Sequence, residues 1–96
     1  MKCKLALAQI NTVLGDVQAN LKKHLELIEQ ASTQGADLLV FPELSMTGYL
    51  LLDMVPQVAM RPNAQDPIFS KLLQASRKMD LVVGFVQEDE RNRFYI

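Results

Sequence analysis

An α/β fold on a parallel sheet is what this sequence predicts, and three observations carry the prediction. Short apolar runs recur at residues 4–10, 38–41 and 81–86. Segments with helical spacing lie between them. Helix-start and helix-stop residues mark the joints, at Gly15-Asp16, Gly35 and Asp66-Pro67. Strand, helix and strand with short joints make a βαβ unit, whose crossover is right-handed.

The elements follow in chain order. Residues 4–10 read as a first strand, closed by Asn11 and Thr12. Gly15-Asp16 supplies a turn and an N-cap, because the Asp carboxylate accepts from free N–H groups of the first helical turn. From there Val17, Leu21, Leu25, Ile28 and Ala31 recur at helical spacing and define one buried face. Lys22, Lys23, Glu26, Glu29 and Gln30 fall on the wet side. Gly35 sits where a helix end requires a left-handed residue. Residues 38–41 form a continuous apolar run, the mark of a strand covered on both faces. Pro42 lacks a ladder donor and holds Phe41 extended, so the strand ends there. Residues 44–65 are irregular, with short helical turns expected around 53–60. Asp66-Pro67 opens a second helix with apolar positions at Ile68, Leu72, Leu73 and Met79. Residues 81–86 form a third strand, 87–93 a charged hairpin connection, and Phe94-Tyr95-Ile96 the start of a fourth strand. A chain that stops on a newly opened apolar strand reads as the N-terminal piece of a longer protein, truncated within that strand.

Composition removes several function classes. The 96 residues are 49% hydrophobic and 22% charged, with a net charge of −1, which suits one globular domain. No dense basic segment exists, so nucleic acid is not an expected partner. No apolar stretch approaches the ~18 residues of a membrane span, and the N-terminus lacks the long apolar region of a signal peptide. Cys3 is the single cysteine, so no internal disulfide forms. These points fit a cytoplasmic protein.

The residue that draws attention is Glu43. It follows an apolar parallel strand at its carboxyl end, where α/β proteins gather their catalytic groups. Partial desolvation there suits a carboxylate for proton transfer. The next loop carries Thr47-Gly48-Tyr49, small and amphipathic residues suited to a pocket wall. A solvated loop carboxylate is the competing reading of these facts.

The string Gly35-Ala36-Asp37-Leu38-Leu39-Val40-Phe41-Pro42-Glu43-Leu44, followed by Thr47-Gly48-Tyr49, closely resembles the first catalytic segment of the nitrilase superfamily of carbon–nitrogen hydrolases. Residues 6–11, Gly15-Asp16 with Asn20, and residues 81–86 with Gly84 resemble that family's opening strand, first helix and next strand, in order. The resemblance implies the N-terminal portion of a four-layer α-β-β-α sandwich. It also implies a Glu–Lys–Cys triad and hydrolysis of non-peptide carbon–nitrogen bonds, with a small-molecule amide or nitrile as substrate. Self-association into homo-oligomers at full length is implied too, with no cofactor and no metal. Glu43 matches the family's Glu, the general base, and Tyr49 matches a residue near the substrate pocket. The Lys and Cys of the triad lie beyond residue 96. Such a triad has physical sense: a free thiol with a pKa of ~8.5 needs a base to become thiolate at neutral pH, and the oxyanion needs a cation. The 96 residues alone are expected to be inactive.

Among subfamilies, Thr47-Gly48-Tyr49 with Asp53 resembles the glutamine amidase domain of glutamine-dependent NAD synthetases. Those often read Gly-Tyr-Pro-Pro-Glu-Asp-Leu where this chain reads Gly48-Tyr49-Leu50-Leu51-Leu52-Asp53-Met54. The departure favours a stand-alone amidase or nitrilase-like hydrolase over that alternative. A reading of another class is a non-catalytic α/β binding or assembly module. Against a nucleotide-binding module, residues 11–15 hold one glycine and no phosphate loop.

The remaining candidates read as structural. His24 stands at the border of the first helix's apolar face without partners at metal-ligand spacing. Asn20 is placed to bond back toward the helix start, and Asp53 to cap a helical turn. Cys3 precedes the first strand and lacks the setting of a nucleophile. Glu88-Asp89-Glu90 reads as a solvated turn.

Overall fold

A computed structural model describes residues 2–96. Three parallel strands, β1 (Leu5–Leu7), β2 (Leu38–Val40) and β3 (Asp80–Val82), form a sheet in the order β1-β2-β3. Helix α1 (Val17–Thr33) crosses from β1 to β2, and α3 (Pro67–Ala75) crosses from β2 to β3. Between β2 and α3 lie a 3-10 turn (Leu52–Met54) and the four-residue helix α2 (Val55–Val58). A hairpin of β4 (Gln87–Glu88) and β5 (Phe94–Tyr95) follows.

Both helix starts form as their sequences dictate. The Asp16 carboxylate accepts the Ala19 N–H at 3.0 Å. Asp66 accepts the N–H groups of Ile68 and Phe69 at 2.9 and 3.0 Å, with Pro67 at the first helical position. Gly35 ends α1 with φ at +78°, a conformation that disfavours any residue with a Cβ. Asp53 departs from expectation: it lies inside the 3-10 turn, where no side chain caps the start.

Strand register sorts the sheet into two unlike faces. Ala6, Leu39 and Leu81 pair across the three strands and pack with Ile28, Ala31 and Met79 beneath the helices. On the opposite face Leu7, Val40 and Val82 pair, and Leu7 and Val82 are 72% and 51% exposed. Of the expected sandwich these residues form one helix layer on one sheet layer, with the far side of the sheet bare.

The third strand is shorter than its apolar run, and the reason is Pro42. The ladder between β2 and β3 ends at Val40 and Val82, after which only the Phe41 N–H reaches the Val82 carbonyl, at 2.9 Å. The chain past Val82 stays alongside new partners instead. The Met46 N–H donates to the Gly84 carbonyl, the Met60 N–H to that of Val86, and the Glu88 N–H to that of Met60. So residues 83–88 bind the loop that follows β2 rather than β2 itself.

Candidate functional site

Glu43 opens a tight turn at the carboxyl end of β2. The Ser45 N–H donates to the Pro42 carbonyl, and the N–H groups of Thr47 and Gly48 both donate to that of Leu44. Leu44 takes φ of +51°, which costs a residue with a Cβ about 1 kcal/mol. This twist sends side chains to opposite sides. Glu43 is exposed, while Leu44, Ser45, Met46 and Thr47 are buried. The partial desolvation expected of Glu43 is therefore absent from these 96 residues: the carboxylate stands on the surface, over a rigid base.

That base is polar. Asn20, His24, Ser45 and Thr47 have no exposed surface at all. The Asn20 amide accepts the Val13 N–H at 2.8 Å and donates to the carbonyls of Val13 and Met46 at 2.8 and 3.0 Å. His24 sits one turn further along α1. Its Nδ1 lies 2.6 Å from the Asn20 carbonyl and its Nε2 2.8 Å from Ser45 Oγ. The ring stacks on Phe41 with centroids 4.1 Å apart. Ser45 Oγ also accepts the Gly84 N–H at 3.2 Å. Every buried side-chain polar atom among the described residues has a partner, as burial without a hydrogen bond would be costly.

Burial pushes the His24 pKa down, opposed in part by the bond to the Asn20 carbonyl. The neutral ring then donates from Nδ1 and accepts the Ser45 hydroxyl at Nε2. Below the ordinary value of 6.5 the unfolded chain takes up a proton that the folded chain resists, so the folded state loses stability as pH falls. We expect the unfolding midpoint to drop as pH falls below about 6.5, and the His24→Gln variant to flatten that slope. Denaturant titrations at several pH values check this; parallel slopes for the two proteins would rule it out.

Gly84 closes the turn from the other side. A Cβ there would lie 2.3 Å from Leu44 N, 2.6 Å from the Pro42 carbonyl oxygen and 2.8 Å from the Glu43 carbonyl carbon. Only glycine permits this approach.

Tyr49 stands apart from Glu43. It is 61% exposed and lines an apolar groove of about 290 Å³ with Leu44, Leu51, Val55 and Val86, and Glu43 is not among its walls. Cys3 is exposed, just before β1. Lys78 pairs with Glu29 and Lys23 bonds the Asn11 carbonyl, so both are engaged away from the turn. Asp89 organises the hairpin: the Arg93 N–H, aided by the Arg93 guanidinium and the Arg91 N–H, holds its carboxyl below the usual range. Among the described residues no group of three or more His, Cys, Asp and Glu is placed to hold a metal ion. No helix among them is long and apolar enough to cross a membrane.

The sequence places Asn20 to bond back toward the helix start, as it does at Val13, but it gives no sign of Ser45, and His24 reads as a residue at the edge of the helix's apolar face and Gly84 only as part of a strand. A signal existed for three of the four. Asn20 and His24 stand four apart on the side of α1 that carries Leu21 and Ile28, and an isolated glycine inside an apolar run marks a close backbone approach.

Comparison with known proteins fits this architecture. The family model for carbon-nitrogen hydrolases matches residues 4–95. A glutamine-dependent NAD(+) synthetase of Thermotoga maritima is 38% identical over 92 residues, covering 93% of this chain and 16% of its own. One from Acinetobacter baylyi is 34% identical over 94 residues, covering 96% and 17%. Among solved structures, the glutamine-dependent NAD+ synthetase of Acinetobacter baumannii in complex with adenosine diphosphate superposes with a TM-score of 0.70 at 33% identity, over 97% of this chain and 17% of that one. The chain belongs to the carbon–nitrogen hydrolase family. It spans about a sixth of the length of these relatives.

Two expectations change. A substrate drawn from amides or nitriles at large is overturned by relatives whose names specify glutamine. The same relatives favour the alternative, the glutamine amidase domain of a NAD synthetase, over a stand-alone amidase. The missing Pro-Pro-Glu carried too much weight. Leu50 and Leu52 replace two of the three on open surface, 75% and 83% exposed, and the bend still forms as a 3-10 turn.

Proposed function

We propose that these residues form the N-terminal part of a glutamine amidase domain within a longer, glutamine-dependent NAD+ synthetase. Glu43 is its general base and Tyr49 borders its substrate site. The identity to NAD synthetases along nearly the whole chain is the observation that carries this reading. Glu43, displayed at the end of a parallel strand on a braced turn, supplies its chemistry.

In this reading a Cys and a Lys come from outside the 96 residues. Glu43 takes the thiol proton as sulfur attacks the glutamine carboxamide carbon, and Lys steadies the oxyanion. The C–N bond then breaks, and Glu43 returns the proton to departing ammonia. Water, deprotonated by Glu43, releases glutamate from the thioester. A cytoplasmic setting belongs to the same proposal and fits a single exposed thiol at Cys3 in a reducing compartment.

The full-length protein is expected to release one glutamate per glutamine and to use glutamine as nitrogen donor for NAD+. The isolated 96 residues are expected to release none. A full-length protein that forms no glutamate, or turnover by the isolated segment, would overturn the proposal.

A further inference from the structure

Building on the reading of Glu43 as the base, we propose that His24 and Ser45 are positioning residues for it, clamping the chain on both sides of Glu43. Among the described residues none bonds the Glu43 carboxylate, so the backbone of its turn sets its place. The imidazole of His24 touches that backbone's flanks from below. Its face stacks on Phe41, two residues before Glu43, and its Nε2 meets Ser45 Oγ, two residues after. Ser45 carries the hold across to the Gly84 N–H, under the Glu43 backbone. The Asn20 carbonyl fixes the ring from behind.

An apolar side chain at position 24 would fill the same space, so packing alone does not call for imidazole. What imidazole adds is a fixed acceptor for the Ser45 hydroxyl. That acceptor aims the serine oxygen at Gly84 and sets the turn's register against the end of β3. Small errors in register move the carboxylate relative to the thiol it must deprotonate, and rate responds steeply to such displacement.

The experiment uses the full-length protein with L-glutamine, measured well below each variant's melting temperature. Ser45→Ala and His24→Leu should lower kcat by about tenfold or more with KM within about twofold. His24→Gln, whose amide oxygen can again accept from Ser45, should restore most of kcat. Should His24→Leu fail to fold, Ser45→Ala carries the test. A Ser45→Ala protein whose folded fraction keeps kcat within about twofold overturns the proposal, even if its melting temperature falls, because the pair would then be structural only. A rise in KM at unchanged kcat overturns it as well. Glu43→Gln in the same background separates the two levels: if that variant stays active, the assignment of the base fails, whatever position 24 does.

Discussion

Glu43→Gln in the full-length protein is expected to lower glutamine hydrolysis by about 10³-fold while leaving the melting temperature nearly unchanged. The two side chains have the same shape, but the amide can neither accept the thiol proton nor hand it on. Within these 96 residues Glu43 is exposed and none of the described side chains bonds it, so the exchange removes no contact here, and as an isosteric change it should alter stability by no more than about 1 kcal/mol. Glutamate release and a thermal melt measured together check both halves. Activity within tenfold of the parent would remove Glu43 from the reaction.

Gly84→Ala is expected to damage fold and activity at once. The added methyl would meet three backbone atoms of residues 42–44, and no rotamer change can move backbone aside. Either β3's extension or the Glu43 turn must shift, at a cost of about 2–3 kcal/mol. The bonds from Gly84 to Ser45 and Met46 would stretch with it. Gly35→Ala is the control, since a Cβ there has open space and only the positive φ to contend with. Denaturation midpoints and glutaminase rates for both variants test the difference. Equal losses would mean that the close approach at Gly84 carries no special weight.

Most of the architecture was legible in the sequence because local chemistry wrote it. Asp16, Gly35, Asp66 and Pro67 each satisfy or forgo a backbone group at a helix end, and such signals act over a few residues. Strand lengths were less legible. Residues 81–86 are apolar but for Gly84, yet hydrogen-bonding partners decide where a strand ends, and Pro42, 39 residues before Leu81, withdraws them. Glu43 was found by its place after a buried strand and by its surrounding string. Its support was not, because the Asn20–His24–Ser45–Gly84 set joins three separated segments that share no short motif. The sheet's bare face follows from a short chain that opens a sheet without a second layer: a run such as 38–41 reads as covered on both sides, while these residues cover only one.

The bond from Gly84 to Ser45 spans 39 positions, and this sets an order of events during synthesis. As the nascent chain leaves the ribosome, β1, α1 and β2 can associate first, with His24 already beneath Phe41. The turn bearing Glu43 has no partner on its other side until α3 and the residues after β3 have emerged. The turn can thus be closed from both sides only after the second crossover is made and residue 84 has emerged.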